Sequence, residues 1–239
     1  MTGFGRPHVH LRLTESTNDR ARELAEAGAP TGTIVTAAEQ SAGRGRHGRV
    51  WSAPPDQALL FSAILRPLDL EHSLLPLAAP VAVCEAIESV APVECAIKWP
   101  NDVWLDERKL AGVLIEARPP AWAVIGVGVN VAIADDDFPP DVRWPATSIG
   151  HDVTVEGMRA ALCEALGDWV DAPAPETLEQ FRRRDALAGR EVSWEGAGTA
   201  PGSGRAAAVD ERGNLVVELG DGDRLALGSG EVSLRPTTP

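Results

Sequence analysis

The pattern of apolar and polar residues along the chain switches repeatedly between the strand period and the helix period. Short runs of apolar and β-branched residues predict strands at 8–14, 32–38, 58–66, 94–99, 103–106, 109–117 and 122–131. Apolar residues at helical spacing predict helices between Asn18 and Gly28 and over 73–90, 154–171 and 175–187. The segment 73–90 is apolar on most sides, so a buried helix is expected there. Because strands and helices do not alternate as regular βαβ units, we expect an α+β fold with a mixed sheet.

The pattern changes after Leu187. From there to the end, short β runs alternate with glycine-rich turns, and 210–214 and 220–223 both have hairpin-type sequences. Such a run of short strands predicts a small barrel, in which the segment 197–204 is expected to be a flexible loop. The expected domains are therefore 1–187 and 188–239.

The composition agrees with this organisation. A chain of 239 residues is long enough for one domain of full size and a small second one. Apolar residues make up 44% and charged residues 24%, which excludes wholesale disorder. No uninterrupted apolar run approaches 18 residues and the first twenty residues contain no apolar core segment, so neither a transmembrane helix nor a signal peptide is expected.

The net charge and the cysteines narrow the functional class. The formal net charge is −13, so nucleic acid and anionic membrane surfaces would repel the chain unless a local patch reversed the field. Cys84, Cys95 and Cys163 are an odd number and have no C-x-x-C spacing. Neither a disulfide framework nor a zinc site is expected, and a reducing cytoplasm fits this chain best.

Lysine is nearly absent. Of the 22 Lys and Arg residues only Lys98 and Lys109 are lysines, so arginine supplies almost all of the positive charge. The two lysines are either chance survivors of a strong arginine bias or residues at places where arginine cannot function. Composition alone leaves both interpretations open.

The segment 43–49, Gly-Arg-Gly-Arg-His-Gly-Arg, combines three glycines with three arginines. Glycine permits positive φ and close approach of a ligand to the backbone, and arginine supplies fixed charge and many N–H donors. The segment suits a phosphate or a carboxylate, although it lacks the spacing of a P-loop. The alternative is a disordered nucleic-acid-binding segment. The flanking strands and the acidic remainder of the chain favour an ordered anion-binding loop.

Two further segments place a lysine beside polar residues. In 98–102, Lys-Trp-Pro-Asn-Asp, the proline ends a strand, so a cation, an amide and a carboxylate converge at the strand end. An ordinary turn of common turn residues explains this segment equally well. In 108–112, Arg-Lys-Leu-Ala-Gly, the glycine permits close packing against a strand. By itself this second segment is better explained by a solvent-exposed lysine beside a hairpin turn.

Two more segments carry weaker signals. The segment 126–130, Gly-Val-Gly-Val-Asn, lacks the third glycine and the following helix of a dinucleotide-binding fingerprint. The segment 16–18, Ser-Thr-Asn, precedes a helix, so Ser16 or Thr17 is expected to cap it, which leaves the other hydroxyl and the amide free for a ligand.

In this order the five segments resemble the biotin–protein ligase family, whose pattern includes S-T-N, G-R-G-R-x-G-R, K-W-P-N-D, R-K-x-x-G and G-x-G-x-N. The segments 146–149 and 230–235 also resemble family segments, so the resemblance covers nearly the whole chain. It implies a biotin- and ATP-binding catalytic domain over 1–187, with a mixed sheet like that of class II aminoacyl-tRNA synthetases, and an SH3-like barrel over 188–239. It also implies that biotin and Mg-ATP form biotinyl-5′-AMP, from which a lysine of a biotin carboxyl carrier domain takes the biotin.

The resemblance implies roles for individual residues. Arg46, Lys98 and Lys109 are the implied catalytic residues, since cations must screen the anions that react. The implied biotin-binding residues are Ser16, Thr17, Asn18, Gln40, Arg44, Gly45, Arg46, Lys109 and Gly112. The implied nucleotide-binding residues are Arg46, Arg49, Trp51, Lys98, Asn101, Asp102 and Asn130. Asp102 is in addition a candidate ligand for Mg²⁺ or a residue that orients the acceptor lysine.

Several alternatives stay open. A lipoate- or octanoate-transferring enzyme shares the fold of this family, and a non-catalytic biotin-binding module would keep the fold without turnover. Because the first motif begins at Ser16, we expect no N-terminal helix-turn-helix domain and no operator binding. The family contains both monomers and homodimers. A loop at 43–49 with three mutually repelling arginines is expected to be mobile without ligand.

Overall fold

The chain folds into two β-sheets connected by helices. The computed structural model describes residues 3–138, 145–196, 199–228 and 233–236. The strands are β1 (His8–Thr14), β2 (Ile34–Gln40), β3 (Ala58–Leu65), β4 (Ala96–Lys98), β5 (Asp102–Leu105), β6 (Arg108–Arg118), β7 (Trp122–Asn130), β8 (Glu191–Gly196), β9 (Thr199–Val209), β10 (Leu215–Glu218), β11 (Arg224–Leu227) and β12 (Ser233–Pro236). The α-helices are α1 (Thr17–Glu26), α2 (Leu75–Val90), α3 (Val155–Trp169) and α4 (Ala174–Arg183), and short 3-10 helices span Arg46–Gly48, Leu70–Leu74 and Asp135–Asp137.

The larger sheet has seven strands in the order β1-β2-β3-β7-β6-β5-β4. Strands β1 and β2 are parallel, and the other neighbouring pairs are antiparallel. The turn between β5 and β6 contains Asp106 and Glu107, with φ of 49° and 60°, as a tight hairpin turn requires. The predicted α+β fold with a mixed sheet is confirmed.

The helices cover the two faces of this sheet. Ala21 and Ala25 of α1 pack with Val35, Ile64 and Val124 in one apolar cluster. Neighbouring residues on the same strands, which point to the opposite face, join the larger core with α2 and α3. The predicted burial of the helix within 73–90 is confirmed, because most side chains of α2 are buried.

The segment His72–Val90 is also apolar enough to be tested as a membrane span. It has 19 residues and a mean hydropathy of 1.5, so by length and composition alone it could cross a bilayer, although the uninterrupted apolar runs of the sequence predict no such segment. In the fold 67% of it is buried, as is typical of a core helix.

The smaller sheet has five antiparallel strands in the order β11-β10-β9-β8-β12. Both predicted hairpins are confirmed as the β9–β10 and β10–β11 connections. The expected flexible loop is wrong from residue 199 onward, because that part belongs to β9, and 197–198 lie outside the described residues. Gly202 explains the error. A Cβ there would lie 2.5 Å from Cζ2 of Trp194, so this glycine permits close packing and does not indicate flexibility.

The β9–β10 turn connects the smaller sheet to the larger one. Gly213 at this turn accepts a 3.0 Å hydrogen bond from Nε1 of Trp99, which is fully buried. Apolar residues of the smaller sheet, including Val209 and Leu215, belong to the same core cluster as α2. The turn therefore packs directly behind the strand that carries Lys98.

Candidate active site

The motif residues converge on one cavity of about 130 Å³ that lies over one face of the larger sheet, across β3, β7, β6 and β5. The predicted site residues that line it are Ser16, Thr17, Asn18, Gln40, Arg44, Gly45, Arg46, Arg49, Trp51, Lys98, Asn101, Asp102, Lys109 and Gly112. Of the predicted residues only Asn130 is not among its lining residues. Residues from five separate segments thus meet at one place, although the first and the last are nearly a hundred positions apart.

Asn130 lies behind the cavity, buried at the end of β7. Its amide nitrogen donates to the carbonyl oxygens of Thr147 at 3.0 Å and Lys109 at 3.4 Å. The 146–149 segment, which resembles a family segment, is therefore fixed against β6 through backbone contacts near Lys109. In this arrangement Asn130 supports the site from behind.

The first turn of α1 forms one wall of the cavity. Ser16 is the N-cap residue, but its side chain makes no capping hydrogen bond, so the prediction that Ser16 or Thr17 caps the helix is wrong. The carboxamide oxygen of Gln40 accepts instead from the backbone N–H of Thr17 at 2.7 Å. A side chain at the end of β2 thus satisfies a backbone N–H group at the start of α1 that a capping side chain would otherwise satisfy.

The carboxamide of Asn18 is held on every side. Its oxygen accepts from Ser62 Oγ at 2.6 Å, and its nitrogen donates to Glu116 Oε2 at 2.9 Å and to the Leu114 carbonyl at 3.3 Å. Gly126 lies directly beneath, where a Cβ would come within 2.0 Å of Asn18 Oδ1. The side chain is therefore oriented by the protein before any ligand arrives, and the expectation that its amide is free for a ligand is wrong for the nitrogen, which donates to two protein oxygens.

The arginine-rich segment is a small hairpin that covers the cavity. Arg44 and Val50 form an antiparallel bridge, and the N–H of Gly45 donates to the carbonyl of Arg49 at 2.7 Å. The tip is at His47 and Gly48, with φ of 57° and 72°, the left-handed region that a tight turn needs. We call residues 43–51 the arginine loop.

Arg46 reaches across the cavity from this loop. Its Nη1 donates to Oδ1 of Asn101 at 3.1 Å. Burial lowers the pKa of the Arg46 guanidinium, and Arg49 acts in the same direction while Asp102 opposes it. A charge held in a partly dry site beside another cation is stabilised when an anion binds next to it. Arg46 is therefore suited to an anionic ligand.

The two lysines lie on neighbouring strands beneath the loop. Lys98 is buried at the end of β4, with Nζ 5.7 Å from the centre of the Trp104 ring. Lys109 Nζ lies 2.7 Å from Oδ1 of Asp102 and 5.6 Å from the centre of the Trp51 ring. Asp102 is the one carboxylate among the described residues that line the cavity.

Trp51 packs flat against the sheet at the end of the loop. A Cβ on Gly128 would lie 2.4 Å from its Cε2, and one on Gly112 would lie 3.2 Å from its Cζ3. The indole nitrogen is buried and has no hydrogen-bond partner within the described chain. A buried donor without an acceptor is costly, so a ligand that offers an acceptor here gains affinity.

Sequence reasoning missed several residues that this geometry identifies. Ser62 and Glu116 hold Asn18, and neither belongs to a recognisable motif. Gly126 and Gly128 belonged to a segment already singled out, but only the structure assigns them to Asn18 and Trp51. The signal that could have found Glu116 is its place as the single acidic residue of β6, directly after an apolar run.

The chain matches two family models that together span most of its length. Residues 10–130 match the model of the biotin/lipoate A/B protein ligase family. Residues 188–235 match the model of the biotin protein ligase C-terminal domain. The first match alone covers half of the chain and includes all five motifs.

Individual relatives agree with these matches. The biotin–[acetyl-CoA-carboxylase] ligase of Mycobacterium tuberculosis is 32% identical over 234 residues, which is 92% of this chain and 85% of that protein. The bifunctional ligase/repressor BirA of Bacillus spizizenii is 38% identical over 154 residues, 62% of this chain and 47% of that protein, so the chain spans about half the length of this relative. A biotin protein ligase from Aquifex aeolicus, solved in complex with biotin and ATP, has a TM-score of 0.83 at 27% identity and covers 98% of this chain and 100% of that one. This chain belongs to the biotin/lipoate A/B protein ligase family.

Proposed function

We propose that the protein is a biotin–protein ligase, which attaches biotin to a lysine of a biotin carboxyl carrier domain through biotinyl-5′-AMP. The observation that carries this proposal is the convergence of Arg46, Lys98 and Lys109 on one cavity whose described lining offers a single carboxylate. Such an excess of cations suits a reaction between two anions. The likeness to a biotin protein ligase in complex with biotin and ATP supports the same assignment.

The first half-reaction joins a carboxylate to a phosphate. An oxygen of the biotin carboxylate attacks the α-phosphorus of ATP, an acyl–phosphate bond forms, and the bond from the α-phosphorus to the bridging oxygen breaks, which releases pyrophosphate. Lys98 offsets charge at the α-phosphate, and Lys109 holds the biotin carboxylate or the acyl phosphate. Arg46 closes over the product from the arginine loop. The polar groups of the 16–18 segment and Gln40 line the wall where the neutral ureido ring is bound.

The second half-reaction transfers biotin to an amine. The ε-amino group of the carrier lysine attacks the acyl carbon, a C–N bond forms, and the C–O bond to AMP breaks. The amine loses a proton in this step. Asp102 is the carboxylate in the cavity that can accept this proton or orient the amine, since an anion that replaces it beside Lys109 releases its oxygen.

Magnesium is proposed to enter with ATP. Mg²⁺ prefers carboxylate and phosphate oxygens and usually retains several waters, so one or two protein ligands are enough. Asp102 is the residue that would hold it, together with the phosphate oxygens. No group of three or more metal-ligating side chains occurs in the described ranges, so the phosphates supply the greater share of the ligands.

We also propose the domain bounds, the location in the cell and the partner of the protein. We assign 1–187 as the catalytic domain, with the sheet arrangement of class II aminoacyl-tRNA synthetases, and 188–239 as an SH3-like barrel. The separate matches to 10–130 and 188–235 support this division. The acidic net charge of −13 supports a protein that binds neither nucleic acid nor membranes. The three free cysteines support a cytoplasmic location, and the family supports a carrier domain as the partner. A monomer and a homodimer both agree with this assignment.

A transfer assay tests the proposed function. The purified chain is incubated with Mg-ATP, a biotin carboxyl carrier domain and either biotin, lipoate or octanoate, and the mass of the carrier is measured. A mass gain with biotin alone supports the proposal. A gain with lipoate or octanoate but not with biotin would favour the related acyl transferases, and binding of biotin without any adenylate would favour a non-catalytic module. A carrier whose acceptor lysine is replaced by arginine is the control.

A further inference from the structure

Two arginines and two carboxylates form a compact network at the base of the arginine loop. Arg44 Nη2 lies 2.7 Å from Asp19 Oδ1 and 3.0 Å from Glu116 Oε2. Arg22 Nη2 lies 2.6 Å from Asp19 Oδ1, and its Nη1 lies 3.7 Å from Glu116 Oε1. We call Asp19 and Glu116 the acidic clamp. It connects the loop to α1 on one side and to β6 on the other.

Arg44 and Arg46 belong to the same loop, but only Arg44 is paired with the acidic clamp. The Arg46 side chain is directed into the cavity and contacts the neutral amide of Asn101. The Arg44 guanidinium is already compensated by two carboxylates, which removes much of its demand for an anionic ligand. Arg44 is therefore suited to holding the loop in place, whereas Arg46 is suited to binding an anionic ligand.

The clamp also contacts the biotin-facing wall. Glu116 Oε2 accepts from both Arg44 Nη2, at 3.0 Å, and Asn18 Nδ2, at 2.9 Å. One carboxylate oxygen thus holds the loop and orients the carboxamide of Asn18. Asp19 contacts Arg44 and Arg22, and no hydrogen bond to Asn18 is found for it in the described chain. Substitutions of Asp19 and of Glu116 should therefore have distinguishable effects.

The arginine loop borders the whole ligand site. The cavity beneath it measures about 130 Å³, and a second cavity of about 600 Å³, lined by the loop together with Asp19 and Glu116, shares several loop residues with it. Because pockets for organic ligands measure about 300 Å³ or more, a ligand that fills the first cavity has to shift the loop that borders both. The contacts that resist this movement decide how often the site opens and how long a product stays inside.

We propose that Asp19 and Glu116 are positioning residues that hold the arginine loop closed through Arg44, and that Glu116 couples this closure to the orientation of Asn18. The closure itself is a property of the free protein. Its consequence for ligand retention rests on the proposed function. Because the four charges are between 27% and 38% exposed, the clamp is reversible and weakens as salt screens it.

Limited proteolysis of the ligand-free chain tests the closure. Trypsin cleaves after arginine, and Arg44, Arg46 and Arg49 all lie in the loop, so the rate of loop cleavage reports its opening. Asp19→Asn and Glu116→Gln should each increase that rate roughly threefold, and the double variant roughly tenfold. Raising the ionic strength should increase the wild-type rate but not that of the double variant. Glu23→Gln, which removes an exposed ion pair with Arg20 on the same helix, is the matched control and should leave the rate unchanged.

Biotin and adenylate kinetics test the coupling. Asp19→Asn should increase the dissociation rate of biotinyl-5′-AMP roughly threefold with little effect on the KM for biotin, whereas Glu116→Gln should raise both. Arg44→Gln removes the loop end of the clamp, and because Arg44 also lines the cavity it should raise both the dissociation rate and the KM for biotin, even if Glu116→Gln folds poorly. Loop-cleavage rates of Asp19→Asn and Glu116→Gln equal to that of the wild type would overturn the proposal. If the variants show increased loop cleavage but the wild type biotinylates no carrier, the proposed function would be wrong and the role of the clamp in loop closure would still be supported.

Discussion

Oδ1 of Asp102 lies 2.7 Å from the ammonium nitrogen of Lys109, and the two residues sit on adjacent antiparallel strands. The carboxylate side chain is 9% exposed and the lysine side chain 24% exposed, so the pair is largely shielded from water. A ligand anion that approaches Lys109 competes with Asp102 for the same ammonium group. On the proposed function, substrate binding thus frees the carboxylate that the second half-reaction needs.

The two lysines are expected to be irreplaceable by arginine. Lys98 is 5% exposed, and the ammonium group of Lys109 is held between Asp102 and the Trp51 ring. A bulkier, planar guanidinium cannot make the same contacts. Lys98→Arg and Lys109→Arg should each slow adenylate formation by at least about tenfold, or roughly 1.4 kcal/mol of barrier, although the charge is kept. Pyrophosphate release measures the rate, and the exposed substitution Arg20→Lys is the control. Normal rates in both variants would mean that the two lysines have no special role and that the scarcity of lysine reflects only a compositional bias.

Arg46→Ala is expected to release the intermediate. The substitution removes the hydrogen bond to Asn101 and a partly buried cation, which on the proposed function faces the adenylate. The dissociation rate of biotinyl-5′-AMP should rise by about tenfold or more, as expected for the loss of a charged hydrogen bond, and can be followed by trapping the released adenylate. With two lysines in the chain, both in the site, the released adenylate should modify added lysine-rich protein far more than the enzyme itself. Unchanged affinity for the adenylate would contradict the assignment of the loop.

The two glycines of β7 should affect different substrates. A methyl group on Gly126 meets Asn18 Oδ1 at 2.0 Å, and one on Gly128 meets Trp51 Cε2 at 2.4 Å. Gly126→Ala should therefore raise the KM for biotin, and Gly128→Ala the KM for ATP, each by roughly tenfold or more for a displaced side chain. Gly220→Ala is the control, because a Cβ there meets nothing within 4 Å. Equal effects of both substitutions on both KM values would contradict the separation of the two subsites.

Asp185 should make the protein less stable as the pH rises. Burial raises the pKa of this carboxyl above its ordinary 3.8, although the N–H groups of Leu187 and Ala188 oppose the shift. One of its oxygens is buried and has no partner in the described ranges. Because the folded state binds the proton more tightly, the stability that this group contributes is present below 3.8 and is lost as the pH rises through the folded pKa.

Unfolding by urea at several pH values measures this effect. Asp185→Asn removes the ionisation and should raise the free energy of unfolding at pH 7 relative to wild type, and the difference between the two proteins should shrink toward pH 4. Asp152→Asn at an exposed position is the control and should show no such trend. A difference that stays constant from pH 4 to pH 7 would mean that the substitution acts through packing.

The motifs alone identified most of the residues that line the cavity. Lys98, Asn101 and Lys109 were recognisable because they occur in short segments whose order along the chain is specific, and the local pattern of apolar residues predicted nearly every helix and strand. Both kinds of information are local, since helix and strand periods and turn residues act over a few positions. The error at Gly202 has the same origin, because nothing in the neighbouring sequence distinguishes a glycine that packs against Trp194 from one in a loop.

Only the tertiary structure decided how these residues are held. Glu116 meets Arg44 across 72 positions and Asn18 across 98, and Gln40 replaces the expected cap of α1. Such contacts depend on the register of β6 against β7 and on the placement of α1 over the sheet, where a shift of one residue would turn every side chain to the other face. The residue types of the site can therefore be predicted from the sequence. The acidic clamp, the orientation of Asn18 and the closure of the loop form only when distant strands pair.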